Sequence, residues 1–453
     1  MFWRKRKNKN PLISTLLQRH FSTASLHELV TAVRVFPATA RVDLQAALDE
    51  IFPLFAEVDT LVGLHSPYAH DTITFSHLTV VEGYPVLVSP LQYDEVETGN
   101  PQPVRCLKSG LWLVRRKAMT FCVLLTAVMK YGSARGAQLE LAVGPGLEGV
   151  ELTRDFFKEI EQRIQRAGSY RGKVLSLEVT DEYSGRSAGI KVHRLPTVTR
   201  EEVILPEKTL TLLERNITRF VRHRSAMKEL NLSIKKGLLF YGAPGTGKTH
   251  TIQYLASQMP DHTTLLITAE QVGLLDEYMQ LARFLQPVMV VLEDVDLIAR
   301  SRTSMRGPCE ESLLNRLLNE MDGLREDAAV LFVLTTNRPE ELEAALASRP
   351  GRVDQAIEFP LPDEMGRRRL VHLYRREAAV SAELVETIVQ RTAKASASFL
   401  KELMRRAAQN AIEGGSPQEI RPPDIESALD EMLFTGGSLN AKLVGIATSD
   451  IDP

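Results

Sequence analysis

KGLLFYGAPGTGKT, from Lys236 to Thr249, decides how the rest of the chain is read. Leu238, Leu239, Phe240 and Tyr241 form an apolar run with the composition of a buried strand, a glycine-rich turn follows, and Ile252, Leu255, Ala256 and Met259 then recur at helical spacing. Strand, loop and helix in that order fit the phosphate-binding pattern G-x-x-x-x-G-K-[ST], with Gly242, Gly247, Lys248 and Thr249 at its fixed positions. Glycines let backbone N–H groups curl around an anion that a β-carbon would hold off, and the following helix points its positive end at the same place. Lys248 is expected to reach the β- and γ-phosphates and Thr249 to set its hydroxyl on Mg²⁺. The candidate nucleotide-binding residues are Gly242, Ala243, Pro244, Gly245, Thr246, Gly247, Lys248, Thr249 and His250.

Three further stretches complete the expected chemistry. VMVVLEDVD, Val288 to Asp296, is an apolar strand ending in acids, and acids at a strand end beside a phosphate loop hold Mg²⁺ and orient an attacking water. Glu293 is assigned to the metal side, with Thr249, and Asp294 to water activation, also near the metal; a small backbone shift would exchange those roles. The next strand ends in Leu334, Thr335, Thr336, Asn337 and Arg338, and the Asn337 amide can bond both a water and a γ-phosphate oxygen. Alone, Asn337 would read equally well as a turn residue. In SRPGRVD, Ser348 to Asp354, Arg349 and Arg352 bracket a Pro-Gly turn that is expected to display them rigidly. Guanidinium groups so displayed can stabilise a transferring phosphoryl group, an effect on the order of 10³ to 10⁵ in rate when a neighbour supplies them.

Outward from this core, apolar runs at Thr264 to Ile267, Val330 to Leu334 and Ala356 to Phe359, separated by helical segments, predict a mainly parallel sheet with helices on both faces. Leu313, Leu314, Leu317, Leu318 and Met321 form a helical core face. After Pro362 only helices are expected, with Leu370, Leu373 and Ala378, then Phe399, Leu400, Leu403, Met404 and Ala407, then a last helix introduced by Pro422, Pro423 and Asp424. The polar, Pro-containing connector Leu195 to Pro206 separates this half from an amino-terminal α+β module and leads into a helix with Leu210, Leu213 and Ile217. In that module Asp43 is expected to cap a helix carrying Leu44, Ala47, Leu48 and Ile51, and Gln138 to Val143 and Lys173 to Val179 read as strands around a helix with Phe156, Ile160 and Ile164. Gly144, Gly146 and Gly149 match G-x-G-x-x-G, but Pro145 interrupts it and no helix is expected immediately afterwards, so a plain turn is read there. The expected division is a basic tail over 1–10, a recognition domain over 11–200, an ATPase domain over 201–363, a helical lid over 364–435 and a tail over 436–453.

The 453 residues are 44% hydrophobic and 25% charged with a net charge of −2, the composition of a soluble protein with no electrostatic reason to bind nucleic acid. Cys106, Cys122 and Cys309 lack metal-ligand spacing and suit free thiols in a reducing compartment. No apolar stretch reaches the roughly 20 residues of a membrane helix and no signal-peptide pattern opens the chain, so a cytoplasmic location is expected. Residues 2–9, with Arg4, Lys5, Arg6, Lys7 and Lys9 behind Phe2 and Trp3, suit peripheral contact with a membrane surface, a solvated tail being the default. No H-E-x-x-H protease motif occurs.

The order of these motifs, with LNEMDGL at Leu318 to Leu324, TTNRP at Thr335 to Pro339 and RPGRVD at Arg349 to Asp354, resembles the AAA family of ATPases over roughly Lys208 to Glu431. The resemblance implies an α/β P-loop domain with a small helical lid, Mg-ATP as cofactor, a homo-oligomeric ring usually of six subunits, arginines acting on a neighbour's nucleotide, and remodelling or translocation of a protein client. Within that family the acid order LEDVD and the compact core resemble the mitochondrial chaperone of the Rieske iron–sulfur protein; this chain shows no opening membrane helix, so a membrane-insertion role is not carried over. A slow nucleotide switch that binds a partner without threading it is the alternative. In place of the family's central-pore triplet stands AEQVGLLDEYMQLARFLQP, with Tyr278 as the one aromatic substitute. The resemblance puts Tyr374 at the lid position facing adenine, with His372 two residues earlier, and replaces the family's Ser-Gly-Ala-Asp by Ser396, Ala397, Ser398 and Phe399.

Overall fold

The computed structural model describes residues 11–22, 25–66, 71–130, 133–178, 189–300, 313–340, 342 and 352–435. Two compact units result, Met1–Arg171 with Ser176–His193, and Gly172–Leu175 with Arg194–Pro453. Residues 2–9, Val179, Cys309, Arg349 and the carboxyl-terminal tail, all singled out above, lie outside the described residues.

In the first unit, β1 (Val30–Pro37), β2 (Glu57–His65), β3 (Leu87–Ser89), β4 (Gln92–Val96), β5 (Val104–Arg116), β6 (Met119–Lys130) and β7 (Ser133–Val143) form an antiparallel sheet of order β1-β7-β6-β5-β2-β3, with β4 also on β5. Successive side chains of β5 leave opposite faces, and both faces are covered. Leu111 and Leu113 pack with Ile13 and Leu17 of α1 (Ile13–His20). On the other face Trp112 stacks on Phe52 of α2 (Arg41–Phe55), 5.0 Å between ring centroids, beside Phe156 of α3 (Leu147–Arg166). Cys106 and Cys122 are buried free thiols whose pKa burial pushes up, to about 11 for Cys106.

Two local expectations fail here. The N-cap of α2 is Ala40; Asp43 sits in the first turn, buried, and its carboxylate accepts from the Ser169 N–H at 3.3 Å. A helix does open after Gly146, since α3 starts at Leu147. Glycine at 149 allows that helix to lie against β7, where an added Cβ would meet the Gly144 carbonyl at 2.5 Å. Tertiary packing, rather than local capping chemistry, sets both helix starts.

In the second unit the expected parallel sheet is present: β10 (Lys236–Tyr241), β11 (Thr263–Ile267), β12 (Val288–Leu292), β13 (Val330–Thr336) and β14 (Gln355–Glu358) lie parallel in the order β14-β10-β13-β12-β11. Val174 and Leu175 of β8 (Val174–Leu177) extend it beyond β11, while β9 (Ile190–His193) falls in the first unit. Every residue of β12 and β13 is buried, as strands covered on both faces require. Leu238, Phe240, Met289, Val291, Leu331 and Val333 share one core with Leu210 and Leu213 of α4 (Glu207–Leu213) and Ile252 and Leu255 of α5 (Lys248–Gln258).

Tyr278 lies on α6 (Leu275–Phe284) and is fully buried, its hydroxyl donating to the Leu266 carbonyl at 3.0 Å. The aromatic substitute for a pore loop is therefore a core residue. Further along, α7 (Val295–Arg300) follows the acids and α8 (Leu313–Asp322) precedes β13. Four helices end the unit: α9 (Glu364–Tyr374), α10 (Ala382–Arg391), α11 (Ala397–Glu413) and α12 (Pro422–Asp430). The first three start on side-chain caps, Asp363, Ser381 and Ser396, each accepting the N–H three residues on. The four helices bury Leu370, Val385, Ile388, Phe399, Leu403 and Leu429 in a core of their own.

Candidate nucleotide site

Register brings the expected residues together. Leu292 of β12 pairs with Leu334 of β13, and Tyr241 of β10 pairs with Thr336, so the loop after β10, the acids after β12 and Asn337 after β13 emerge side by side at one sheet edge. In parallel α/β sheets ligands bind outside that carboxyl edge.

The loop itself runs through Gly242, Gly245 and Gly247 at φ of +149°, +74° and +99°, and Gly247 caps α5, which starts at Lys248. Thr246 braces the loop by donating to the Ala243 carbonyl at 2.9 Å. Gly245 is a close approach as well as a turn: a Cβ there would meet the Ser398 hydroxyl at 1.9 Å, and the Ser398 N–H donates to the Gly245 carbonyl at 3.1 Å. The lid helix α11 thus begins against the phosphate loop through Ser396, which keeps the first residue of the family pattern, and Ser398, which departs from it; their hydroxyls lie 2.9 Å apart. Tyr374 packs partly buried on the lid core. Ala243 and Pro244 are exposed, and the ring Nε2 of His250 is buried without a hydrogen-bond partner among the described residues.

Lys248 is 7% exposed, and its ammonium donates to the carbonyls of Gly242 at 2.8 Å and Ala243 at 3.1 Å and to Asn337 Oδ1 at 2.8 Å. Burial pulls its pKa down to about 8, against the pull of the Asp294 and Asp296 carboxylates. Asn337 Nδ2 donates in turn to Asp294 Oδ1 at 2.9 Å. On the other branch the Thr249 hydroxyl donates to Glu293 Oε1 at 3.0 Å. The two acids therefore point to different partners, Glu293 to the Thr249 hydroxyl and Asp294 to the Asn337 amide. Asp294 takes a φ of +50°, rare for a residue with a side chain, and its N–H donates to Thr335 Oγ1 at 3.1 Å. The donor set fits Mg-ATP: a positive-φ loop of backbone N–H groups, one buried ammonium, and a hydroxyl next to a carboxylate.

One buried carboxylate escaped the reading of the motifs. Asp296, 4% exposed, accepts from the Thr336 hydroxyl at 2.8 Å and the Asn337 N–H at 3.3 Å. Its signal was present in LEDVD as a third acid, two residues past Asp294.

Arg352 is not displayed in the way expected. Its side chain is 11% exposed, forms an ion pair with Asp322, and donates to Asn319 Oδ1 at 3.4 Å. It lies at the opposite end of β10 from the phosphate loop, where the Gly237 N–H donates to Asp354 Oδ2 at 2.7 Å. The strand between spans about 15 Å at roughly 3.3 Å per residue, beyond the reach of the side chain toward the loop of its own chain.

Residues 238–361 match the model of the ATPase family associated with various cellular activities (AAA). The chain is 28% identical over 249 residues to a cell division cycle protein 48 homolog of Archaeoglobus fulgidus, covering 53% of this chain and 34% of that protein. It is 29% identical over 252 residues to the ATP-dependent zinc metalloprotease FtsH of Thermus thermophilus, covering 53% and 40%. A proteasome-activating nucleotidase of Methanothermobacter thermautotrophicus is 29% identical over 257 residues, covering 54% and 62%. The chain thus spans between about a third and just under two thirds of the length of these relatives. With the phosphate loop, the acids and Asn337 on adjoining strands of one parallel sheet, the match identifies residues 238–361 as an ATPase domain of the AAA family.

Proposed function

We propose that the chain is a Mg-ATP-hydrolysing AAA protein that assembles into a ring, expected to be hexameric, and remodels or translocates a protein client recognised by its amino-terminal residues 11–200. The observation that carries the reading is the Asn337 amide, which bridges the Lys248 ammonium and the Asp294 carboxylate. In this reading residues 242–250 hold the nucleotide, and Thr249, Glu293 and Asp294 hold the metal or its waters. When bound, Mg-ATP supplies the γ-phosphoryl group and the cation that draws charge from it. Lys248 exchanges the loop carbonyls and Asn337 for phosphate oxygens. Asn337, released on that side, orients a water, and Asp294 accepts its proton at Oδ1. Arg349 serves a neighbouring subunit, and Arg352 would join it only on leaving its ion pair with Asp322. Among the described residues no helix is long and apolar enough to cross a membrane.

ATP turnover measured across a protein concentration series tests this, beside Asp294→Asn and Arg349→Ala. Specific activity that rises with concentration and collapses in both variants is expected. Turnover absent at every concentration, with Mg-ATP still bound, would refute hydrolysis.

The burial of Tyr278 favours a second reading, a switch that binds its partner without threading it. Nucleotide-dependent partner binding that persists in Asp294→Asn would favour the switch, and loss of partner remodelling in that variant would favour the motor.

A further inference from the structure

A carboxylate buried without a cation costs several kcal/mol unless hydrogen bonds compensate it. Asp296 makes no direct ion pair among the described residues, the Lys248 ammonium acting on it only through space, and it takes a hydroxyl from Thr336 and a backbone N–H from Asn337. Thr336 Oγ1, having given its proton to Asp296, accepts the N–H of Arg338 at 2.9 Å. A single carboxylate oxygen therefore ties down three successive residues, and the middle one carries the amide that joins Lys248 to Asp294. The turn is fastened from its other side as well, because the Asp294 N–H donates to Thr335.

We propose that Asp296 is a positioning residue, which through Thr336 and the Asn337 N–H holds the Asn337 amide at the distance where it serves both Lys248 and Asp294. The inference rests on the hydrolytic reading of the site. Asp296 touches none of the reacting groups; it fixes the rotamer and the height of the residue that does. A misplacement of about 1 Å in a positioned group costs on the order of a hundredfold in rate, so the hold acts on turnover rather than on nucleotide affinity.

Asp296→Ala and the near-isosteric Thr336→Val test it, with Asp296→Asn, which keeps an acceptor oxygen, as the conservative variant. We expect kcat to fall tenfold or more in Asp296→Ala and several-fold in Thr336→Val, with KM for ATP within twofold of the parent and activity largely retained in Asp296→Asn. Hydrogen exchange of the full chain without nucleotide supplies a readout independent of turnover: exchange across 335–339 should quicken in Asp296→Ala and Thr336→Val while β10 keeps the protection of the parent. Unchanged kcat in an active parent background, or unchanged exchange at 335–339, would overturn the proposal. So would losses of kcat that merely track losses of folded protein in both variants. Should the parent chain itself fail to hydrolyse ATP, the reading of the site falls, and the exchange measurement alone decides whether Asp296 holds Asn337.

Discussion

Gly245→Ala should loosen the lid from the phosphate loop, and Ser398→Gly should recover part of the loss. Gly245 has a φ of +74°, where an L-residue pays about 1–2 kcal/mol. Its new Cβ would lie 1.9 Å from the Ser398 hydroxyl, 2.9 Å from Ser398 Cβ and 3.0 Å from the Ser396 hydroxyl. The Ser398 hydroxyl can rotate away, but its Cβ stays 2.9 Å from the new methyl because the Ser398 N–H is bonded to the Gly245 carbonyl, and Ser396 is held as the cap of α11. Overpacking of this kind costs typically about 1–3 kcal/mol, so the expected total is about 2–5 kcal/mol. Ser398→Gly in the same background removes the hydroxyl and Cβ contacts and leaves the backbone part, so the pair should couple by about 1–3 kcal/mol in a double-mutant cycle. The assay is equilibrium urea unfolding without nucleotide, followed by far-UV ellipticity, with Trp112 fluorescence in a Trp3→Phe background reporting the first unit. A Gly245→Ala variant within about 0.5 kcal/mol of the parent would refute the close approach, because that is the size of an ordinary surface change. Loss of stability without recovery by Ser398→Gly would place the strain elsewhere in the loop.

Two other outcomes follow from buried groups. Tyr278→Phe should cost about 1 kcal/mol for the lost hydroxyl bond and Tyr278→Ala about 3–5 kcal/mol as a core truncation, both read by urea unfolding; an alanine variant as stable as the parent but impaired on a client would restore the pore reading. Because burial lowers Lys248 to about 8, its ammonium is charged below that pH and neutral above it. The second phosphate ionisation lies near 6, so the affinity for Mg-ATP should weaken from pH 7 to pH 9 as the lysine loses its proton. Affinity flat across that range, measured by titration calorimetry, would contradict the shift.

What the sequence by itself determined was local and repetitive. Five strands of the parallel sheet, the loop from Gly242 to Thr249 and three of the four lid helices, all but α10, follow from periods of apolar residues and from glycines at fixed spacing, which act within a few residues of each other. The acids and Asn337 were legible for the same reason, as strand ends, although nothing in one chain told which neighbour each would meet. Only the tertiary structure decided that. The register of β12 on β13 sets Asp296 under Thr336 and Asn337, the packing of α6 buries Tyr278, and α8 supplies Asp322 and Asn319 to Arg352. Each of these depends on residues 30 or more positions apart, or on a core no local pattern describes. A polar side chain takes its partner from whatever the strand register brings within about 3 Å, and that is fixed when the sheet closes, not when the segment is written.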